Sequence, residues 1–276
     1  MAISLLLIVL TVMGLALCWR QLDHRADRKA MHELAASQPE APPIFAAGMV
    51  AALPDPARRY FLYTIAPGTP LATVARVSMG GRFGLGTKDK PGYLDFTATQ
   101  LLAMPSGFVW KMQAKRGLMR LSGSDSQRWT RFWLLGLLPI ARLGGDPDHT
   151  RSAFGRYVAE AVFWTPAAVL PGPGVVWEGL DAHRARVTVE HRGLSQSVDV
   201  TVAADGQPTE VRFQRWSNAN SAKRYQRQPF GGYLSDFRSF GGFRLPTHVE
   251  AGNHFDTAQY FPFFVADVTA IELSYA

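Results

Sequence analysis

Arg156 and Glu160 form a pair of oppositely charged residues, four positions apart, in a segment whose apolar residues repeat at helical spacing. On a helix, residues at this spacing are neighbours one turn apart. An ion pair on a solvated helix face is the more common arrangement, and it contributes little to stability. The other interpretation is a buried polar pair that faces a ligand, with Glu160 close to the apolar surface of Trp164. We take Arg156, Glu160 and Trp164 as candidate ligand-binding residues.

The seven histidines of the chain raise the question of a metal site. His248 and Glu250 share one face of a predicted strand and His254 follows them, while His183 and His191 bracket another predicted strand. Zinc sites usually take three or four protein ligands, whereas strand spacing brings only two of these side chains together. Exposed polar positions on strands are the favoured interpretation, and we predict no metal.

Motifs that bind a nucleotide or activate a serine are missing from the sequence. The segment 81–86 (GRFGLG) is glycine-rich, but it is reversed relative to the dinucleotide fingerprint and no helix signal follows it. The sequence contains no Gly-x-Ser-x-Gly turn of the kind that presents a nucleophilic serine. We therefore predict no cofactor and name no catalytic residue.

Aromatic residues make up 12% of the chain and concentrate in the segments 129–133 and 255–264. Core packing explains most of them, and an apolar surface that remains after folding would contact a ligand or a membrane. The apolar segment 129–140 is too short to cross a bilayer. Four apolar and aromatic positions complete the candidate ligand-binding set: Trp110, Trp133, Leu137 and Tyr157.

The charge of the chain is basic, with 29 Lys and Arg against 22 Asp and Glu, a net charge of +7. No Lys- and Arg-rich block with interleaved aromatic residues occurs, so a nucleic-acid partner is not expected. Beside a membrane anchor, anionic lipid headgroups are the simpler partner. A solvated sheet face is slightly favoured over headgroup binding for the main basic region, which comprises Arg212, Arg215, Lys223, Arg224, Arg227 and Arg238.

A two-residue period of apolar and polar residues predicts the strands that must position these side chains. Arg192-Gly193, Asp205-Gly206 and Gly241-Gly242 are hairpin signals between strands, and such short connections favour antiparallel neighbours. About ten strands in succession form a sheet that must curl. The period is clearest in the segments 75–83, 108–115, 184–190, 197–202 and 243–251.

Helix signals occur at two places within this β-rich pattern. Asp55 as the N-cap and Pro56 in the first turn predict a helix that continues to about Tyr63. A second helix is predicted from Arg151 to about Phe163, with Asp148 or Thr150 as its cap. The predicted fold class is therefore α+β and mainly β, with a large curved antiparallel sheet, or half-barrel, wrapped around a few helices.

The N-terminal run Ala2–Trp19 is apolar except for Ser4 and Thr11. As a helix it spans roughly 27 Å, close to the ~30 Å of a bilayer core. A cleaved signal peptide is less favoured because no basic residue precedes the run. Lipidation of Cys18 is less favoured because Leu17 stands where a small residue is expected. We predict an anchor over 1–20, a juxtamembrane helix and Pro-rich linker over 21–43, and a β-rich domain over 44–276.

Six fragments in order resemble a bacterial family of uncharacterised membrane-associated proteins, a domain of unknown function. That family is distantly similar to the lipoprotein-carrier (LolA/LolB-like) folds, in which a curved antiparallel sheet wraps around helices and holds an acyl chain. The resemblance implies a half-barrel with an apolar cavity, and it brings no catalytic residues. The fragments are 53–61, 107–110, 160–166, 176–178, 211–213 and 237–250.

The side of the membrane stays open. Arg20, Arg25, Arg28 and Lys29 follow the apolar run, and the positive-inside rule then keeps the domain in the cytoplasm. The carrier resemblance implies export instead. We predict a single-pass protein of the inner cell membrane.

The favoured function is a membrane-anchored binding protein whose partner is a membrane lipid or another hydrophobic ligand. A hydrolase acting on an envelope lipid, with Glu160 or a histidine as acid or base, is the first alternative. A structural or assembly subunit without a ligand is the second, and protein partners are left open.

Deleting residues 1–20 tests the anchor. We expect the shortened chain to move from the membrane fraction to the soluble fraction, because the only run long enough to span a bilayer has been removed. Fractionation followed by immunoblotting measures this. A shortened chain that still sediments with membranes after a salt wash would show that the main attachment lies elsewhere.

Overall fold

The computed structural model describes residues 2–273. Its helices are α1 (Ala2–Ala35), α2 (Asp55–Thr64) and α3 (Pro147–Trp164), with short 3₁₀ turns at Ala47–Val50 and Pro166–Val169. The strands are β1 (Val74–Gly84), β2 (Tyr93–Ala103), β3 (Gly107–Arg116), β4 (Met119–Ser126), β5 (Thr130–Leu134), β6 (Leu138–Leu143), β7 (Val175–Gly179), β8 (Arg184–His191), β9 (Leu194–Val202), β10 (Pro208–Ser217), β11 (Gln226–Phe240), β12 (Phe243–Asn253) and β13 (Phe261–Leu273).

All thirteen strands belong to one antiparallel sheet. The order is β6-β5-β4-β3-β2-β1-β13-β12-β11-β10-β9-β8-β7, so two meanders meet where the first strand pairs with the last. Phe83 lies opposite Phe264 at this junction. Strands β6 and β7 form the two edges. The predicted fold class, mainly β with one large antiparallel sheet and an N-terminal apolar helix, is confirmed.

The two faces of the sheet pack against different helices. Along β3, Phe108 and Trp110 belong to the main core with α2 and α3, whereas Val109 packs with Leu34 of α1. Successive side chains of a strand point to opposite faces. We call the face covered by α2 and α3 the inner face, and the face covered by the second half of α1 the outer face.

The apolar segment 129–140 folds into the hairpin of β5 and β6. On β5, Trp133 faces outward, with its Nε1 2.9 Å from Asp23 of α1. Its neighbour Phe132 packs against the main core on the inner face. Because the strand is covered on both faces, it lacks the alternation that identifies a half-buried strand. This explains why the number of strands exceeds the prediction.

Both helices on the inner face begin earlier than their predicted caps imply. In α3 the cap is Asp146, whose Oδ1 accepts a hydrogen bond of 2.8 Å from the backbone N–H of His149, and Pro147 follows it. The predicted caps, Asp148 and Thr150, lie inside this helix. In α2 the cap is Pro54, and Asp55 lies in the first turn. The proline in each first turn suits a position whose N–H has no partner within the helix.

Helix α1 continues without a break beyond its apolar run and packs against the sheet. Asp23 is buried and lies 2.5 Å from Nη1 of Arg142 and 3.3 Å from Nη1 of Arg131. Further along, Ser124 of β4 donates a hydrogen bond of 2.7 Å to the buried Asp27. The part of α1 after residue 20 lies within the segment 21–43, where a juxtamembrane helix and a linker were predicted. Asp23 and Asp27 are therefore acidic residues by which α1 contacts the sheet.

Phe61 and Leu62 provide a matched pair for testing the inner core. Phe61 is 0% exposed and its ring centroid lies 5.3 Å from that of Trp177, whereas Leu62, the next residue of α2, is 39% exposed. We expect Phe61→Ala to lower the free energy of unfolding by about 3–5 kcal/mol because it leaves a cavity in the core. Leu62→Ala is expected to change it by less than about 1 kcal/mol. Urea unfolding followed by tryptophan fluorescence measures both, and equal losses would contradict the packing described.

Candidate ligand-binding site

A cavity of about 230 Å³ lies between α3 and the inner face of the sheet. One wall comes from α3, which contributes Arg156, Ala159, Glu160 and Phe163. The strands β1, β3, β4, β5 and β10 to β13 provide the rest, so both meanders contribute. The lining residues from the strands and the end of α3 are Phe83, Trp110, Asp125, Thr130, Phe132, Trp164, Val211, Phe213, Arg215, Phe230, Gly231, Gly232, Val249, Ala251, Phe263 and Phe264.

Aromatic rings form most of the apolar wall. The ring centroid of Trp110 lies 6.0 Å from that of Phe83, 6.5 Å from that of Phe132 and 6.2 Å from that of Phe264. Phe263 extends the wall, at 5.7 Å from Phe83. Aromatic pairs at these distances pack with tilted or edge-to-face geometry and hold each other in place. This part of the cavity is therefore lined by packed aromatic rings.

Arg156 lies at the polar end of the cavity and connects α3 to the sheet. Its Nη1 donates a hydrogen bond of 2.6 Å to Oδ2 of Asp125, and its Nε donates one of 2.7 Å to Oε1 of Glu160. Gln100 of β2 donates through Nε2 to the other oxygen of Glu160, at 2.6 Å. Thr130 donates to the other oxygen of Asp125, at 2.5 Å. Each carboxylate oxygen thus has a donor.

This network of carboxylates stabilises the positive charge of Arg156. Burial by itself would lower the pKa of the guanidinium, but the attraction of Glu160 and Asp125 outweighs it, and the pKa is raised. The guanidinium also lies over the rings of Phe108 and Trp110, at 4.5 and 5.3 Å from their centroids. A buried charge that is paired, hydrogen-bonded and stacked in this way fixes the geometry around it.

Arg215 differs from Arg156 because it has no ionic partner. No carboxylate of residues 2–273 lies within 4.0 Å of its guanidinium, and its buried Nε has no hydrogen-bond acceptor there. It lies over the ring of Phe230, at 4.9 Å. Burial, and then the nearby positive charge of Arg156, lower the pKa of Arg215 to about 10. It remains cationic at neutral pH.

Two indole N–H groups of the lining residues share this lack of an acceptor. Nε1 of Trp110 and Nε1 of Trp164 are buried and have no hydrogen-bond partner among residues 2–273. Buried donors are normally satisfied by protein groups, water or a ligand, so these two N–H groups are free to donate to a group that enters the cavity. With Arg215, the cavity is lined by three residues that each carry an unsatisfied N–H donor.

Four of the seven residues proposed from the sequence line the cavity: Trp110, Arg156, Glu160 and Trp164. The other three lie elsewhere. Trp133 is on the outer face against α1, and Leu137 is in the turn between β5 and β6. Tyr157 packs beside Phe154, and its hydroxyl donates to the carbonyl of Pro105 at 3.3 Å. The apolar spacing of the sequence does not distinguish cavity positions from other buried ones.

The sequence contained partial signals for the residues it did not identify. Gln100 follows Leu94, Phe96 and Ala98 at a spacing of two, so a polar residue interrupts an apolar series on the inner face. Asp125 follows Leu121 in the same way on β4. Arg215 stood within the predicted basic region, but nothing in the sequence separates it from its solvated neighbours.

The histidines considered as metal ligands lie on the surface. His248 hydrogen-bonds to Asp267 through Nδ1 at 2.7 Å and lies 3.6 Å from Glu250. The hydrogen bond to Asp267 raises the pKa of His248. Within residues 2–273, no group of three or more His, Cys, Asp and Glu side chains is arranged to hold a metal ion.

The chain belongs to DUF6544, a family of unknown function, whose model matches residues 43–266. This confirms the resemblance to an uncharacterised family. The sequence matches none of the curated proteins with which it was compared.

Three crystal structures have a similar fold at low identity. A LolA superfamily protein from Nitrosomonas europaea is 13% identical, with a TM-score of 0.41 over 80% of this chain and 92% of that one. An outer membrane lipoprotein-sorting protein domain from Vibrio parahaemolyticus is 7% identical, with a TM-score of 0.35 over 72% and 84%. A DUF1329 family protein from Desulfovibrio piger is 9% identical, with a TM-score of 0.39 over 89% and 92%. Similarities this distant say nothing about a ligand of this chain.

Replacing Arg156 tests the network at the polar end. We expect Arg156→Met to lower the free energy of unfolding by about 3 kcal/mol, because it leaves Asp125 and Glu160 without their counter-charge. Adding Asp125→Asn and Glu160→Gln is expected to recover part of this loss, since the repelling carboxylates are then neutral. Urea unfolding measures all variants.

The control is Arg212→Met. Arg212 pairs with Glu210 at 3.5 Å and with the exposed Asp256 at 2.9 Å, outside the cavity. Ion pairs that solvent reaches, as it does through the exposed Asp256, contribute less than about 1 kcal/mol. If both arginine variants lose the same amount, the network of Arg156 does not hold α3 to the sheet.

Proposed function

We propose that this protein binds a membrane lipid or another hydrophobic ligand in the cavity between α3 and the sheet. The observation that carries the proposal is the combination found there: an aromatic apolar wall and three N–H donors without acceptors. Ligand sites are usually apolar concavities with a few polar groups that set orientation. Donors inside a fully packed core are usually satisfied by neighbouring protein groups.

The apolar wall supports binding of part of an acyl chain or of another apolar group. Burying a methylene group contributes about 0.8 kcal/mol, so about six of them contribute roughly 5 kcal/mol before the cost of association. The cavity of about 230 Å³ accommodates a portion of a long chain and not all of it. We therefore propose that the remainder of the ligand extends out of the cavity.

The unsatisfied donors indicate a ligand with oxygen acceptors. A buried donor without a partner costs about 1–3 kcal/mol, which an acceptor oxygen of the ligand would recover. Arg215 suits a carboxylate or phosphate oxygen, and the indoles of Trp110 and Trp164 suit any acceptor. We propose an amphiphile with an anionic headgroup over a plain hydrocarbon.

The geometry favours binding over hydrolysis. Both oxygens of Glu160 already accept hydrogen bonds, from Arg156 and Gln100. A general base needs a free oxygen within reach of the proton that it removes. The carboxylates at the polar end are thus better suited to hold Arg156 and α3 in place.

We further propose that α1 ties the protein to a membrane. The helix is long and apolar enough to cross a bilayer, and its 18-residue apolar window is 0% buried. In this proposal residues 1–20 are the anchor, 21–43 join it to the domain, and 44–276 bind the ligand. The protein would then take its ligand directly from the bilayer in which it is anchored, in the envelope.

A photoactivatable fatty acid tests the cavity in the full-length chain reconstituted into lipid nanodiscs. After irradiation, mass spectrometry maps the cross-linked peptides. We expect adducts on the strands of the cavity wall, around Trp110, Phe132 and Phe263, and also on the apolar part of α1. The adducts on α1 report contact with the bilayer and serve as an internal reference.

Ala159→Phe fills the cavity from α3, because Ala159 is 4% exposed and lines it. We expect this variant to lose the adducts on the wall and to keep those on α1. The control is Ala204→Phe on the exposed turn between β9 and β10, which should change neither set. Wall adducts that persist in Ala159→Phe, or that never form in the unchanged protein, would refute the proposed site.

A further inference from the structure

Two neighbouring turns of the sheet expose large apolar side chains. Leu118, in the turn between β3 and β4, is 95% exposed. Leu135 and Leu138, in and after the turn between β5 and β6, are each 57% exposed, and Ile140 is 55% exposed. The backbone N–H of Leu135 donates to the carbonyl of Arg120 at 2.8 Å, so the two turns lie side by side. We call these four residues the apolar rim.

The apolar rim lies beside α1 at the point where its apolar run ends. The guanidinium of Arg20 donates to Oγ of Ser122 at 2.9 Å, and it lies so close to Gly136 that a side chain there would clash. The ring of Trp19 lies 5.6 Å from that of Trp133. These contacts place the apolar rim beside residues 19 and 20 along the axis of α1.

The course of α1 along β4 shows which way its apolar run projects. Arg20 contacts Ser122, and Asp27 contacts Ser124, so α1 and β4 run in the same direction. Residues before 20 therefore extend past the start of β4, beyond the turn that holds Leu118. If residues 2–19 cross a bilayer, this turn faces the surface of that bilayer.

Most of the charges around the rim are positive, although Asp95 of β2 lies opposite Lys115 in the sheet. Lys115, Arg116 and Arg120 flank Leu118 and are exposed. None of them lies within 4.0 Å of a carboxylate of residues 2–273. Basic side chains at a membrane surface gain about 1 kcal/mol each from anionic lipids. Exposed apolar side chains surrounded by unpaired cations suit an anionic bilayer surface better than water.

We propose that the apolar rim inserts into the headgroup region of the leaflet at which the apolar run of α1 ends, with Lys115, Arg116 and Arg120 on anionic lipids. This rests on the proposed membrane span of α1, and it adds a second point of attachment. Two attachments fix the tilt of the domain, whereas one helix leaves it free. They would also hold β5, whose Phe132 lines the cavity, against the bilayer.

Site-directed fluorescence in the full-length chain tests the proposal. With Cys18, the only cysteine, replaced by serine, a single cysteine at position 118 or 135 is labelled with a fluorophore sensitive to polarity. The protein is reconstituted into vesicles of phosphatidylcholine and phosphatidylglycerol, with or without nitroxide-labelled lipid. We expect a blue shift and strong quenching by the nitroxide lipid at both positions.

Two controls separate the rim from the anchor. Val176→Cys labels an exposed apolar residue, 66% exposed, on the opposite edge strand β7, and we expect iodide in the buffer to quench it instead. The native Cys18, labelled in the otherwise unchanged chain, reports on the span itself. If lipid quenches Cys18 but not the rim, the rim proposal fails while the anchor stands. If lipid quenches neither, both fail.

The remaining outcomes concern the partner of the rim. Rim probes shielded from both lipid and iodide would mean that another protein chain covers them, and would overturn the proposal. Replacing Lys115, Arg116 and Arg120 together by glutamine, or omitting phosphatidylglycerol, is expected to reduce the lipid quenching by about half. Quenching that neither change affects would overturn the role given to these three residues.

Discussion

The arrangement of α3 and the sheet around the cavity depends on one cation, Arg156, whose charge must be compensated inside the protein. Its partners come from different elements: Glu160 lies on the same helix and Asp125 lies on the sheet. Because an unpaired charge in this place would be costly, α3 can approach the sheet only in the orientation that brings both carboxylates to the guanidinium. That orientation leaves a space beside the network, which the aromatic wall surrounds.

Because successive side chains of a strand point to opposite faces, the two faces of the sheet make different contacts. On β5, Phe132 faces the cavity while Trp133 faces α1, so one residue lines the cavity and its neighbour contacts the helix. The same alternation on β4 directs Asp125 inward and Ser124 toward Asp27. A movement of the outer helix would therefore act on strands that form the wall of the cavity.

The strands and the hairpins were predictable because their signals are local. Alternating valines in β8 and β9, and the turn at Arg192-Gly193, with φ angles of 49° and 78°, predict that hairpin without further information. The strands β5 and β6 were not predictable from alternation, since β5 packs on both faces and the apolar residues Leu138 and Ile140 of β6 are exposed. Among the residues of the candidate site, Arg156 and Glu160 were identifiable as a pair from their helical spacing. Their partner Asp125 was not, because it lies 31 residues away from Arg156 in the sequence.

The sequence by itself determined the elements whose rules act over a few residues: an apolar N-terminal run, a long series of strands and a helix with an ion pair one turn apart. It also excluded a cysteine cluster, because the chain has a single cysteine. Only the tertiary structure decided which buried residues surround empty space. Trp110 and Trp133 are both buried aromatic residues of strands, yet one lines the cavity and the other contacts α1. The difference depends on which face each strand presents to which helix, and that follows from long-range packing that no local pattern encodes.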